Sequence, residues 1–192
     1  MRRLTLLLVA LLAAAGPLHA TVDLQALGGW SAPLSPLGPD SFATAHRLGL
    51  EGWGRLLWLK GDWTLGVEGG GASLQRQDQT GSLDAWQGGL SAGWGFSVDE
   101  VAKDRVLLTL GAGWGGATAG APGLGRSWTA PAGSLGLTYE LPLHSHLDLL
   151  VGGALWGLLG PDGFDPILRG SLGVGLGFYG SLFPPAKVST HD

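Results

Sequence analysis

Apolar residues along this chain recur at every second position. From Trp86 to Val98 the even positions Trp86, Gly88, Leu90, Ala92, Trp94, Phe96 and Val98 carry apolar or absent side chains, while Gln87, Gly89, Ser91, Gly93, Gly95 and Ser97 are small or polar. A period of two is the signature of a β-strand, whose successive side chains face opposite sides of the sheet. The same division repeats. Leu48, Leu50, Leu56 and Trp58 alternate with Arg47, Glu51, Trp53 and Arg55, and Trp63, Leu65 and Val67 alternate with Thr64, Gly66 and Glu68. Further on, Leu108, Leu110 and Ala112 oppose Thr109, Gly111 and Gly113; Leu135, Leu137 and Tyr139 oppose Ser134, Gly136, Thr138 and Glu140. Leu147, Leu149, Val151 and Leu155 oppose Asp148, Gly152 and Ala154, and Leu168, Leu172, Val174, Leu176 and Phe178 oppose Arg169, Ser171, Gly173 and Gly175. A weaker first segment, Val22 to Trp30, has Asp23 and Gln25 on its polar side.

The pattern predicts eight strands at about 21–31, 41–60, 63–76, 82–98, 105–118, 127–141, 147–159 and 166–178. Each is long enough to cross a hydrocarbon layer, which takes about 9–11 tilted residues. An even number returns both ends to one side, as a closed antiparallel barrel requires. Gly61-Asp62, 99–104 and 142–146 are expected as inner turns, and 32–40, 78–81, 119–126 and 160–165 as outer loops. Gly61-Asp62 suits a two-residue hairpin turn, because glycine tolerates the positive φ of its first position. The fold class is therefore all-β, an eight-stranded antiparallel transmembrane β-barrel preceded by a cleaved signal peptide.

The leader is read from Arg2-Arg3, an apolar run from Leu4 to Ala15, and a small residue at Ala20. That run fits the roughly 7–15 residues of a signal-peptide core and falls short of the ~20 of a spanning helix. The expected organisation is a signal peptide at 1–20, a barrel at 21–183 and a short periplasmic tail at 184–192.

Composition agrees. Of 192 residues 36 are glycine and only 14% are charged, where roughly 7% glycine and 25% charged residues are usual. The absence of cysteine excludes disulfides, thiol nucleophiles and a lipid-modified cysteine, and a net charge of −4 excludes a basic nucleic-acid footprint. Amphipathic rings prefer membrane interfaces. Trp58, Trp63, Phe96, Tyr139 and Phe178 are expected in an inner aromatic girdle and Trp30, Phe42, Trp86 and Trp128 in an outer one. Trp156 has inward parity, and Trp128 matches Tyr139 only if a bulge near Pro131 changes the register.

A lumen charge network is expected from seven residues of inward parity, Arg47, Glu51, Arg55, Glu68, Glu140, Asp148 and Arg169. If Lys60 pairs with Trp63 across the Gly61-Asp62 turn, Arg55 falls opposite Glu68, where a planar guanidinium suits a carboxylate. Pairing Leu141 with Leu147 sets Glu140 opposite Asp148. These charges are expected to close the lumen and fix register. No catalytic, cofactor-binding or metal-ligating residues are assigned: His144-Ser145-His146 lacks a third ligand and reads as solvated turn.

At this level the chain resembles the small eight-stranded outer-membrane barrels of the OmpA transmembrane-domain and OmpX type, over Thr21 to about Phe178. The last strand ends at Phe178 or Phe183, whereas members usually end the strand on their terminal aromatic. The resemblance implies residence in the bacterial outer membrane, contact with its lipids, insertion by the barrel-assembly machinery and a monomeric state. Eight strands make a barrel that its own side chains fill, so a structural role leads. A surface receptor or adhesin comes second, although the outer loops are short for the ~800 Å² per partner of a specific interface. Some barrels of this size modify lipid A with rim histidine and serine. Here Ser73 falls opposite Leu50, two rows from His46, and no acid is expected on the lipid face, so an enzyme is the last alternative.

Overall fold

The computed structural model describes residues 21–35, 48–75, 81–99, 104–120, 126–160 and 167–181. The leader, the tail, Phe42, His46 and Arg47 lie outside these residues. Eight strands, β1 (Thr21–Ser35), β2 (Gly49–Lys60), β3 (Trp63–Gln75), β4 (Ser82–Asp99), β5 (Asp104–Gly120), β6 (Arg126–His144), β7 (Leu147–Leu158) and β8 (Ile167–Ser181), pair in sequence order. Pairing of β1 with β8 closes the barrel, from Thr21 opposite Ser181 to Ser35 opposite Leu168.

The register fixes the shape. A row of paired residues starting at Leu137 passes through Gly153, Leu172, Trp30, Leu50, Ser73, Asp84 and Thr118 and meets β6 again at Ser127, ten residues from its start. That stagger imposes a strand tilt of about 35–45° and leaves an interior just wide enough for side chains.

Two glycines meet specific backbone demands. Gly61 has φ 61° at the first position of the β2–β3 turn, and Lys60 pairs with Trp63 across it as expected. Gly175 lies so close to β1 that a Cβ there would stand 2.7 Å from the Leu27 Cα.

β1 and β6 gain most over the lengths that the alternation predicts. β1 continues through Ala32-Pro33, which pair with Gly170 and Arg169 of β8, while among the described residues its pairing with β2 ends at Ser31–Gly49. β6 continues to His144, replacing the expected 142–146 connection by a tight turn at Ser145-His146. An irregularity between Pro142 and His144 changes the register there. Glu140 therefore faces Leu150, and Asp148 faces Pro142. The expected Glu140–Asp148 opposition is corrected: the turn pairs Leu147 with His144, three residues beyond the expected Leu141, and the one unpaired residue of the bulge takes back one of the three.

The exterior is apolar. Leu90, Leu110, Leu137, Leu172 and Val174 stand exposed on its middle, with Trp30, Trp86 and Trp114 toward the outer end and Trp63, Trp94, Phe96 and Phe178 toward the end that carries Thr21, Ser181 and the tight turns. Trp58 and Tyr139 are half-buried on the same outward face. Trp63 and Trp94 face each other across β3–β4 with edge-to-face rings 4.5 Å apart. Trp128 is a correction to the expected girdle. The β5–β6 register runs unbroken from Arg105–Glu140 to Ala119–Arg126, so Pro131 makes no bulge and Trp128 keeps its inward parity. It packs on buried Ala130, Leu158 and their neighbours.

Candidate functional site

The inward residues fill the lumen in four tiers. At the end with the termini, Gln25 on β1 donates through Nε2 to Asp23 Oδ2 at 2.7 Å and to Glu140 Oε1 on β6 at 2.6 Å. Arg105 on β5 reaches Glu140 Oε2 at 3.7 Å, partly exposed at the mouth. Asp148 is buried nearby, paired with Gly177, whose other neighbour is Gln25.

In the middle tier, Arg55 on β2 and Glu68 on β3 are directly opposed, with Nε 3.5 Å from Oε2 and side chains only 1% and 5% exposed. Arg55 Nη1 also donates to Thr138 Oγ1 at 3.0 Å, across the barrel on β6. Ser134, also on β6, donates to Glu68 Oε1. These contacts tie β2 and β3 to the opposite wall by charge-assisted hydrogen bonds, the stronger class in a low-dielectric interior.

Above them, Arg169 on β8 donates from Nη1 to Glu51 Oε2 on β2 at 2.7 Å. The Arg169 guanidinium lies 5.5 Å from the ring centre of Trp156, within cation–π range. Trp156 is 1% exposed, donates from Nε1 to Ser171 Oγ at 3.1 Å and meets Trp53 edge to face at 6.5 Å. Among the described residues the outermost tier has no charge: Leu74, Leu83, Ala85, Ala117, Ala130, Leu158 and Ile167 form one apolar cluster.

Six of the seven expected lumen charges thus lie inside the barrel, and Arg47 is outside the described residues. Contacts join Arg55 to Glu68 and Arg169 to Glu51, whereas Glu140 meets Gln25 and Arg105. Arg105, Gln25, Ser134 and Thr138 were not singled out from sequence as partners. Arg105 shares the parity of Thr109 and was identifiable by extending that alternation four residues, but cross-barrel partners carry no local signal.

A void of about 10 Å³ beside Glu68, Gln87, Ser134 and Trp156 holds about one water molecule. Inside the described barrel that is a gap between side chains and no passage.

The outer rim corrects one further expectation. Asp84 stands exposed on the outward face of β4, paired with Ser73, whose Oγ donates to Asp84 Oδ1 at 2.6 Å. An acid therefore does occupy that face, because the outward parity of β4 extends past Trp86 to Asp84. At the other end, His146 Nδ1 lies 3.2 Å from the Tyr179 carbonyl and His144 Nδ1 lies 3.0 Å from Ser145 Oγ. Among the described residues no group of three or more His, Asp or Glu side chains is arranged to hold a metal ion.

No protein-family model matches the chain, and no curated protein matches it by sequence. Solved structures do match. Neisserial surface protein A (NspA) superposes with a TM-score of 0.65 at 15% identity, covering 82% of this chain and 96% of that one. The N-terminal β-barrel domain of Pseudomonas aeruginosa OprF superposes with a TM-score of 0.54 at 15% identity, covering 83% of this chain and 97% of that one. The architecture is accordingly that of the small eight-stranded outer-membrane barrels.

Proposed function

We propose that this protein is an integral barrel of the bacterial outer membrane, exported by its leader, inserted by the barrel-assembly machinery and held as a monomer among outer-membrane lipids. Its function in this reading is structural. The observation that carries the proposal is the opposition of the two faces: an exterior that is apolar below the Ser73–Asp84 rim around a lumen that holds the Arg55–Glu68 and Arg169–Glu51 ion pairs and Trp156. Closure gives each strand a neighbour on both sides through the body of the wall, the condition for a sheet to reside in hydrocarbon. The tight turns Gly61-Asp62 and Ser145-His146, on the side of both termini, face the periplasm.

Cell fractionation together with planar-bilayer recording of the refolded mature chain tests this. Detergent-dependent extraction from the outer membrane and no steady conductance are expected. Recovery as a soluble periplasmic protein, or a stable ohmic conductance through the lumen, contradicts the proposal.

A further inference from the structure

The barrel wall has a step between β6 and β7. β5 accompanies β6 as far as Ala119 opposite Arg126, but the β6–β7 pairing ends at Ala132–Leu158. One further bond, from Leu159 N to Pro131 O at 3.1 Å, closes that ladder. Beyond it, Arg126 to Ala130 have a strand neighbour on the β5 side only, among the described residues.

A groove of about 440 Å³ sits at this step, lined by Pro131, Gly133, Gly157, Leu159 and Leu168. Its size falls within the roughly 300–1,000 Å³ of small-molecule sites. Gly133 and Gly157 are paired, so its floor carries no side chain, and no charged residue lines it. Ala132, Leu158 and Ile167 continue the lining inward, and Leu158 and Ile167 belong to the apolar tier against which Trp128 packs. Among the described residues this is the one tier of the lumen without charge. Trp128 Nε1 is buried there with no hydrogen-bond partner among the described residues.

The surroundings select the occupant. The groove opens on the outward face, continuous with exposed Leu155, Leu172 and Trp114, the last of which is paired with Pro131. On the reading that this belt lies in the membrane, hydrocarbon stands against it, and an apolar recess gains nothing from a polar ligand. We infer that the groove between β6 and β7 binds an acyl chain of an outer-leaflet lipid, which enters sideways and reaches the apolar outer tier beside Trp128.

The test is fluorescence of the full mature chain in phosphatidylcholine vesicles whose acyl chains are dibrominated, compared with unbrominated vesicles. The chain has nine tryptophans, so the Trp128 contribution is taken as the difference between wild type and Trp128→Phe. A second variant, Gly157→Leu, fills the groove without a backbone clash, since the nearest atom to a Cβ there is Leu168 Cδ1 at 4.0 Å. At least twofold quenching of the Trp128 contribution, largely relieved by Gly157→Leu, is expected. Quenching of the remaining tryptophans with none at Trp128 overturns the inference and leaves the membrane reading standing. So does quenching at Trp128 that Gly157→Leu leaves unchanged, or that appears only when segment 161–166 is shortened, which would make that segment the occupant. No quenching of any tryptophan overturns both readings together.

Discussion

Arg55 and Glu68 face each other directly inside the barrel, 3.5 Å apart and almost wholly shielded from solvent. Each has a second partner on β6, so the pair joins one wall to the other. Deleting one member of such a buried pair strands the other charge, which typically costs about 3–5 kcal/mol, whereas an exposed pair is worth at most about 1 kcal/mol. Arg55→Ala and Glu68→Ala are each expected to destabilise by the larger amount, and the double variant by less than their sum. Denaturant unfolding in detergent micelles measures the coupling, and strictly additive losses would show that the charges act independently.

Glycines on the two faces should respond oppositely. An alanine Cβ at Gly175 would meet the Leu27 Cα at 2.7 Å, whereas at Gly52 the nearest neighbour is the Leu27 carbonyl oxygen at 3.8 Å. Gly52→Ala is expected to stabilise by about 0.5–1 kcal/mol through reduced chain entropy. Gly175→Ala is expected to destabilise by about 1–3 kcal/mol through overpacking. Unfolding midpoints of the two variants in one detergent check the difference in sign.

Trp156 offers a graded probe of lumen packing. Trp156→Phe removes the indole donor to Ser171 and is expected to cost about 1–2 kcal/mol. Trp156→Ala opens a cavity beside the existing void and the Arg169 guanidinium, at about 3–5 kcal/mol. Equal losses in the two variants would mean that the ring fills no tightly packed space.

How legible this was in the sequence depended on what sets each feature. Strand parity is local, so the alternation through Trp86 to Val98 places β4 to within a residue. The Gly61-Asp62 turn is equally local, and it carries the register far enough to bring Arg55 to Glu68. Register around the Ser145-His146 turn was not legible, because the bulge before His144 arises in the pairing of β6 with β7 and no turn residue marks it. Trp128 lies inward because strand parity, which it shares with Ala130, overrides the interfacial preference of its ring. The Gln25–Glu140 contact spans 115 positions, and only closure of the barrel brings those residues together.

The turn itself gives a further expectation. Gly61→Val must force a β-branched residue to φ 61°, where only glycine is free of the Cβ clash. A loss of about 1–2 kcal/mol and slower refolding are expected, against little change for Asp62→Asn. Refolding followed by the gel shift between heated and unheated samples reads both.

The opposition of a lipid-facing exterior to a filled interior is tested most directly by magnetisation transfer in solid-state NMR of the protein in bilayers. Transfer from lipid acyl protons should reach the methyls of Leu90, Leu110, Leu137 and Leu172 early, and those of buried Leu57, Leu107 and Leu150 late, with little transfer from water to the latter three. Early transfer from water to Leu57, Leu107 and Leu150, or acyl transfer that does not distinguish the two sets, would contradict the account.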